Sequence, residues 1–312
     1  HSPVTEVSTI DRVDYSNDTA TASPKGPLTV TRTLQAASSA QANGITDLTL
    51  FPASSSAREN VAPQGTDFGY FAGGVTPGVP ADAGASSVDR VDYSNDTATA
   101  SPKGPLSSVR QKMGATGNAS FGYFGGGNPG PVTTVDRIDY SNDTATASPK
   151  GPLSSFSHSL AATGNINFGY FAGGRVGAMP PETSRVDRID YSNDTATASP
   201  KGPLSAARGY GLQATGNQSF GYFGGGSSPA KSTVDRIDYG NDTATASPKG
   251  PLSSSRNYIA ATGNASFGYF GGGGSPTKTT VDRIDYSSDT GTAPAKGPLS
   301  VARDLLAATG NT

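Results

Sequence analysis

The sequence predicts an all-β fold in which one four-stranded unit recurs along the chain. Most copies of the unit are 47 to 51 residues apart and keep one order: PLS, a run ending in ATGN, FGYFGGG, a loop, VDRIDY and SNDTATASPKGPLS. A repeat of this length with several short β-rich segments is typical of a propeller blade. We therefore predict a β-propeller of six four-stranded blades, with seven as the alternative, closed by N- and C-terminal strands. The motif DR(V/I)DY marks the copies and begins at Asp11, Asp89, Asp136, Asp187, Asp235 and Asp282.

Composition excludes several other classes of protein. The chain has 41 Gly and 23 Pro but also regularly spaced aromatic segments, so we expect a folded array rather than disorder. No apolar run is long enough to span a membrane. A net charge of −2 and the lack of nucleic-acid motifs argue against a nucleic-acid partner. No metal or other cofactor is expected, because the chain has no Cys and only two histidines, His1 and His158.

The four strands of a blade can be assigned within one repeat. Phe121 to Phe124 is aromatic on both faces, as expected of a strand buried between blades, and glycines follow it. Val135 to Tyr140 is the next predicted strand, ended by a Ser-Asn-Asp turn. We place the small outer strand at Thr144 to Ala147 and read SPKGPLS as the crossing between blades, because its prolines oppose strand pairing. The innermost strand of the next blade is then Leu160 to Thr163.

The two ends of the chain are harder to assign to blades. We treat residues 1–312 as a single domain, with residues 33–57 as an insertion or a degenerate half-blade. The N-terminal residues supply third and fourth strands, and Leu305 to Thr309 a first strand, but the FGYF strand of this split blade is missing. Either Ile45 to Phe51 fills that position or the protein continues past Thr312. A further crossing is predicted at Pro52 to Arg58.

The order of features within the repeat resembles that of the kelch family. An Arg-led first strand, an aromatic strand ending in Gly-Gly and a strand ending near Tyr correspond here to Arg208, Phe220 to Gly226 and Tyr239. The resemblance implies a propeller and covers essentially the whole chain, although the last strand lacks the Trp usual in the family. The amino-acid sequence of the repeat also resembles repeats in structural proteins of marine cyanophages, which implies a virion-associated protein.

Differences between copies concentrate in two places, the loop after FGYFGGG and the segment after KGPLS. In an up-and-down blade both emerge on one face, so we predict a variable face that binds ligand and a constant face at the other end. Basic residues in the crossings and acidic residues in the Ser-Asn-Asp turns suggest a basic variable face and an acidic constant face, unless the charges merely solvate the loops. The predicted ligand-binding residues are Phe156, Tyr210, Tyr258, Arg110, Arg208, Arg256, Arg303, Lys150, Lys201 and Lys249.

From these features we predict a noncatalytic recognition module, an extracellular or virion-associated adhesin. Its partners would be surface glycans, stacked on Tyr210, Tyr258 and Phe156, unless these rings simply plug the inner rim. The alternative is a purely structural virion or fibre component that binds other protein subunits. A glycan hydrolase is a third hypothesis, which the Asp residues of the turns do not favour because repeated Asp is usual in turns.

Overall fold

The fold is built from short antiparallel sheets, one for each repeat. The computed structural model describes residues 8–39, 68–76, 84–130, 132–177, 182–227, 229–274 and 276–310. Every sheet runs in chain order from an inner to an outer strand, so neighbouring strands are antiparallel and joined by short turns. Because each unit supplies one such sheet, the repeat in the sequence becomes a β-propeller in space.

Four blades have four strands and a fifth has three. We number the blades 1 to 5 and call the two strands that precede them, β1 and β2, the N-terminal sheet. In the fifth blade a single bridge between Asp282 and Ala295 stands where the fourth strand lies elsewhere. The strands are β1 Ile10–Arg12 and β2 Ser23–Lys25; β3 Ala36–Ser39, β4 Phe68–Ala72, β5 Val88–Asp92 and β6 Ser101–Lys103 in blade 1; β7 Gly114–Gly117, β8 Phe121–Gly125, β9 Val135–Asp139 and β10 Ser148–Pro149 in blade 2; β11 Ala161–Gly164, β12 Phe168–Ala172, β13 Val186–Asp190 and β14 Ser199–Lys201 in blade 3; β15 Gln213–Gly216, β16 Phe220–Gly224, β17 Val234–Asp238 and β18 Ser247–Lys249 in blade 4; and β19 Ala260–Gly263, β20 Phe267–Gly271 and β21 Val281–Asp285 in blade 5.

The prediction of six four-stranded blades, with seven as the alternative, is wrong. The described residues form five blades, and the N-terminal residues form a sheet of only two strands. The predicted closure by a C-terminal strand also fails, because residues 304–310 carry no strand pairing. A first strand needs an FGYF neighbour for its backbone hydrogen bonds, and the described part of the chain places none beside these residues.

The FGYF segment forms the central, most buried strand of each blade, as the sequence predicts. In β12, Phe168 opposes Asp190 on one side while Gly169 pairs with Gly164 of the inner strand on the other. The Tyr of this strand, such as Tyr170, is fully buried. A strand paired on both edges and covered on both faces accepts aromatic residues throughout, which explains its lack of alternation.

The outermost strand lies one segment later than predicted. Ser199–Lys201 pairs with β13, placing Pro200 opposite Asp187, whereas residues 194–198 form a turn and the approach to the strand. Proline is tolerated here because an edge strand leaves one side of its backbone unpaired. The prediction of a strand at Thr144 to Ala147 is therefore wrong, because those residues form the corresponding turn in blade 2.

Short 3₁₀ turns end the third strand of four blades. In each turn an Asp carboxylate accepts hydrogen bonds from the residue two positions later, as Asp139 does from the backbone N–H of Ser141 at 2.9 Å and from its hydroxyl at 2.6 Å. This is the turn chemistry expected of repeated Asp. The turns are Tyr93–Asn95, Tyr140–Asn142, Tyr191–Asn193 and Tyr239–Asn241.

The outer turns also tie each sheet to the sheet before it. Gly151 N–H donates to Asp194 O at 2.8 Å, and a Cβ added to Gly151 would lie 1.8 Å from Ala196 O, so only glycine permits this backbone contact. The same contact closes the ring, since Gly297 N–H donates to Asp18 O at 2.7 Å. The N-terminal sheet is thus docked against blade 5 without a C-terminal strand.

Part of the predicted insertion can be placed. Ala36–Ser39 forms the innermost strand of blade 1 and pairs with β4. Ile45 to Phe51 and Pro52 to Arg58 lie outside the described residues.

Candidate ligand site at the channel mouth

The arginines in the segments after KGPLS are interior residues in the complete blades. Arg110 is 1% exposed and its Nη2 lies 2.6 Å from Asp136 Oδ2, while Nη1 donates to the carbonyls of Gly126 and Thr134 at 3.0 Å. Burial lowers the pKa of the Arg110 guanidinium, and the neighbouring Asp136 charge opposes that shift. Arg208 and Arg256 occupy equivalent places with Asp235 and Asp282. Each of these three side chains therefore holds a blade together. The prediction that they bind ligand on the variable face is wrong, because their charges are buried.

Blade 3 shows how much this position depends on a cation. Its residue at the Arg position is Ser157, which instead donates to Gly173 O at 3.1 Å. Arg185 supplies the missing guanidinium from the other side, with Nε 3.2 Å from Asp187 and Nη2 2.8 Å from Ser155 O. A buried carboxylate without a cation is costly, so the substitution is compensated within the same blade.

The lysines of the crossings lie at the outer edge and pair with the next blade. Asp143 of blade 2 accepts from Tyr70 at 2.9 Å and Arg90 at 2.8 Å, both of blade 1, and Lys103 lies 3.2 Å away. We call such residues junction carboxylates. Lys150, Lys201 and Lys249 contact the junction carboxylates Asp194, Asp242 and Asp289 at 3.7, 3.3 and 3.4 Å.

These pairs correct the predicted separation of charge between the two faces. Each junction carboxylate is neutralised locally by an Arg and a Lys of the preceding sheet, so these lysines do not form a separate basic face as predicted. Arg303 is the exception in exposure, with 11% of its side chain accessible, but it too is paired, with Asp11 at 2.6 Å. The charged residues of the junctions and of the buried Arg–Asp pairs thus contact one another within the protein. We therefore look for ligand-binding residues among those that vary between copies.

The variable residues meet in a ring at the end of the channel where the inner strands begin. Six residues, each two or three positions before an inner strand or its C-terminal counterpart, adopt positive φ values between 50° and 58°. Non-glycine residues rarely adopt this conformation, and clusters of such strained residues favour functional sites. Backbone hydrogen bonds link them around the axis: Leu34 N–H to Leu305 O (3.2 Å), Leu305 to Tyr258 (3.0 Å), Tyr258 to Tyr210 (3.3 Å), Ser159 to Lys112 (2.8 Å) and Lys112 to Leu34 (2.9 Å).

One half of this ring carries aromatic and charged side chains. Tyr210 and Tyr258, from adjacent blades, meet edge to face with ring centroids 6.3 Å apart and planes at 88°. The Arg175 guanidinium lies over the Tyr210 ring, 4.2 Å from its centroid. Burial raises the pKa of Tyr258. The nearby Asp304 adds to this rise, whereas Arg175 opposes it. Burial also raises the pKa of Asp304. These four residues form the candidate ligand site.

Arg175 is fixed by its neighbours on the loop between β12 and β13. It bridges His158 on one side and Glu182 on the other through antiparallel backbone pairs. Glu182 Oε2 accepts from Ser227 at 2.9 Å, whereas its buried Oε1 has no hydrogen-bond donor among the described residues. The loop thus holds the cation above Tyr210.

His158 adds a titratable group beside the same loop. Desolvation and then the positive charges of Lys112 and Arg175 lower the pKa of His158 to about 4. The imidazole is therefore neutral near pH 7, with Nδ1 3.1 Å from the Ser159 hydroxyl.

The structure brings together two of the predicted site residues and separates the others. Tyr210 and Tyr258 share one site, and Phe156 is half-buried in the segment leading to the ring, two residues before His158. Sequence reasoning missed Arg175 and Asp304, although both occupy segments that vary between copies. The signal was present in that variation, but it could not show that two distant segments meet.

This arrangement of blades and axial ring defines the chain as a β-propeller. Neither a protein-family model nor a curated protein sequence matches the chain. A solved structure titled "Structure of YjhT" is similar, with a TM-score of 0.61 and 13% sequence identity over 89% of this chain and 87% of that chain. At that identity the comparison shows a shared fold. Helices able to cross a membrane are absent from the described residues.

Proposed function

We propose that this protein is a noncatalytic recognition module that binds surface glycans at the half of the channel mouth formed by Arg175, Tyr210, Tyr258 and Asp304. The observation that carries the proposal is the paired Tyr210 and Tyr258 rings, held by strained backbone beside a fixed cation. The complete blades use the repeated Arg, Asp and Tyr residues for their own packing. Residues that differ between copies and also converge are therefore the best basis for recognition.

The chemistry of the site suits a saccharide. Tyrosine combines an apolar ring, against which the C–H face of a sugar can pack, with a hydroxyl for hydrogen bonding. Arg175 offers donors, while Asp304 and Glu182 offer acceptors, which a polyhydroxylated ligand uses at once. A site composed from different blades also accounts for residues that are not repeated, so we favour one composite site over six equivalent ones.

A glycan array followed by titration tests the proposal. Tyr210→Ala and Tyr258→Ala are each expected to weaken binding of the saccharides found by about tenfold or more, the range for central aromatic contacts. Leu34→Ala is the matched control, because Leu34 has a similar backbone conformation (φ 58°) in the same ring, but its backbone bonds run to Leu305 and Lys112 and to neither tyrosine. No saccharide binding by the folded protein, or equal loss with Leu34→Ala, contradicts a glycan site here.

We further propose an extracellular or virion location, as the resemblance of the repeat to cyanophage structural proteins suggests. The kelch resemblance likewise stays a prediction, since it concerns a family and not only the propeller fold. Release of product from an anionic glycan by the purified protein would favour a hydrolase instead.

The competing proposal is a structural component that packs against other protein subunits. It is favoured by a cleft of about 1020 Å³ beside the N-terminal sheet, which is lined by residues of β1 and by residues 301–310. A density map of the intact assembly separates the two, because a mouth covered by a neighbouring subunit excludes the glycan site.

A further inference from the structure

Most tyrosines of the chain lie in stacked pairs between neighbouring sheets. In each pair the Tyr of an FGYF strand packs against the Tyr of DR(V/I)DY in the following sheet, with ring centroids 4.6 to 5.0 Å apart and planes 13° to 18° apart. Nearly parallel rings at this distance are in direct contact. The five pairs account for ten of the 13 tyrosines and are Tyr70–Tyr140, Tyr123–Tyr191, Tyr170–Tyr239, Tyr222–Tyr286 and Tyr269–Tyr15.

The two hydroxyls of a pair have chemically different partners. In all five pairs the FGYF hydroxyl donates to the Oδ2 atom of a junction carboxylate at 2.8 to 3.0 Å. The hydroxyl of the other tyrosine meets a Thr or Ser hydroxyl of an inner strand, as Tyr191 meets Thr116 at 3.0 Å. A proton acceptor must lie within hydrogen-bond reach of the proton that it takes. The FGYF tyrosine of each pair therefore has a charged acceptor for its phenol proton, and its partner has a neutral one.

Burial keeps the FGYF phenols protonated and away from solvent. Tyr123 and Tyr170 are fully buried. Burial raises the pKa of Tyr123, and the hydrogen bond to Asp194 raises it further, because a negative charge on the phenol would face the carboxylate. A tyrosinate is thus absent near neutral pH. If such a ring loses an electron, its proton must leave as well, and the carboxylate is placed to receive it.

The composition of the chain directs one-electron oxidation to tyrosine. Cysteine, tryptophan and tyrosine are the side chains that release a single electron most readily. This sequence has no Cys and no Trp but has 13 Tyr. The pairs also follow one another around the axis, since Tyr191 lies in the electrostatic field of Tyr140 and Tyr239 of the adjacent blades as well as of Tyr123. An electron vacancy that reaches one pair therefore has further tyrosines nearby.

We propose that the five FGYF tyrosines act as a reversible sink for one-electron oxidants, such as organic peroxyl radicals. The oxidant takes one electron from a tyrosine and becomes the hydroperoxide anion. The phenol O–H bond breaks, and its proton moves to Oδ2 of the junction carboxylate, which becomes a neutral acid. The product on the protein is a neutral tyrosyl radical stacked on the second ring. This inference concerns the interior of the ring of sheets and does not depend on the proposed function.

The surroundings of the carboxylate make the step reversible. Asp242 accepts from Tyr170 at 2.9 Å and from Arg188 at 2.6 Å, and Lys201 lies 3.3 Å away. Both cations remain beside Asp242 after it takes the proton, and nearby positive charge favours the ionised form of a carboxyl group. When a thiol or ascorbate returns one electron to the radical, the acid therefore returns the proton to the phenol oxygen.

Electron paramagnetic resonance after flash oxidation tests the proposal. The 312-residue chain is oxidised with photogenerated ruthenium(III) trisbipyridine, which takes one electron without binding at a specific site. We expect the spectrum of a neutral tyrosyl radical that outlives the signal from the same chain unfolded in urea. Ascorbate should remove the signal and leave the mass of the protein unchanged.

Two matched sets of substitutions locate the radical. Replacing all five FGYF tyrosines by Phe should abolish the long-lived signal, because the proton acceptors lose their donors. Replacing their five stacking partners by Phe removes the same number of hydroxyls from the same pairs but leaves the carboxylate contacts, so the signal should remain. Circular dichroism confirms that both variants are folded. The first set is Tyr70, Tyr123, Tyr170, Tyr222 and Tyr269, and the control set is Tyr15, Tyr140, Tyr191, Tyr239 and Tyr286.

Electron–nuclear double resonance on the unmodified chain provides a test that does not require the variants to fold. Samples prepared in H₂O and in D₂O should differ by one exchangeable proton hydrogen-bonded to the phenoxyl oxygen, the proton now held by the carboxyl group. The proposal is overturned if the folded chain yields no long-lived tyrosyl radical, if the signal survives loss of the FGYF hydroxyls, or if no such proton is coupled to it. Fluorescence of cross-linked dityrosine in place of recovery by ascorbate also overturns it.

Discussion

Blades 1 and 2 meet through a complete set of contacts, whereas the N-terminal sheet meets blade 1 through a partial one. At the first junction Asp143 is held by Tyr70, Arg90 and Lys103. At the second, Asp96 is held by Arg12 and Lys25 alone. Because the two junctions use the same repeat, the difference isolates what one strand contributes: a phenol hydroxyl, a ring beneath a guanidinium and a paired backbone.

The comparison also extends to the interior of the blade. Tyr70 stacks on Tyr140 of the next blade with centroids 4.8 Å apart, and four more such pairs join the remaining FGYF strands to their neighbours. An FGYF strand therefore packs two sheets together while it hydrogen-bonds within one. Its loss opens a groove in addition to shortening a sheet.

The largest expected effect comes from removing a buried arginine. Arg256→Ala should lower the free energy of unfolding by about 3–5 kcal/mol, because it leaves the Asp282 carboxylate buried without a cation. Arg303→Ala should cost only about 1–2 kcal/mol, since that pair is partly exposed and lacks the FGYF carbonyls. Chemical denaturation monitored by circular dichroism measures both. Equal losses would mean that the two regions are equivalent.

Removing a junction carboxylate should show a smaller contrast. Asp143→Ala should destabilise the protein by about 2–3 kcal/mol, because a buried tyrosine hydroxyl and two cations lose their partner. Asp96→Ala should cost about 1 kcal/mol, since Arg12 is exposed and can be solvated. Thermal unfolding of both variants provides the check, and a greater loss for Asp96→Ala would contradict the comparison.

Acid should weaken the junction between blade 5 and the N-terminal sheet through Asp18. Desolvation raises the pKa of Asp18, but hydrogen bonds from Tyr269 and Arg283 outweigh it, so the pKa lies below its ordinary value. A lowered pKa in the folded state stabilises the protein above the unfolded pKa of about 3.9, and this contribution is lost as pH falls through the lowered value. Asp18→Asn should therefore flatten the pH dependence of stability below about pH 4. An unchanged acid profile would show that this junction carries no linkage.

The smallest expected effect concerns the axial ring, which passes through both regions. Lys112 has φ 58°, so Lys112→Gly should relieve strain and raise stability by up to about 1 kcal/mol after the cost of glycine flexibility. Lys112→Val should lower stability by about 1 kcal/mol, because a β-branched residue tolerates this conformation poorly. Denaturant midpoints of the pair provide the measurement. Identical midpoints would indicate that the ring is not strained.

Much of the blade could be predicted from the sequence, because its period and its aromatic runs are local signals. FGYF and VDRID were placed correctly as adjacent strands for this reason. The outer strand was misplaced since the prolines of SPK favoured a loop, and only the finished sheet shows that they lie on an edge. The burial of Arg110 could not be predicted either. Its partner Asp136 lies 26 positions away in the sequence, so the charge of Arg110 alone did not indicate an internal ion pair.

The candidate site was only partly accessible to the same reasoning. Tyr210 and Tyr258 stood out as unrepeated aromatics, but Arg175 comes from a loop whose approach depends on how blades 3 and 4 are turned about the axis. The blade count failed for a similar reason. The number of motifs counts third strands, whereas a blade also needs an FGYF neighbour, and the first motif has none among the described residues.

The contact between Asp143 and blade 1 has a consequence for how such a chain can change its number of repeats. Each unit presents Tyr, Arg and Lys on one side and a carboxylate on the other, so every unit is compatible with every other unit on either side. Duplication or deletion of one repeat by recombination preserves every remaining interface without compensating mutations. Selection for this interchangeability would keep the junction residues of the copies alike and leave divergence to residues outside these junctions.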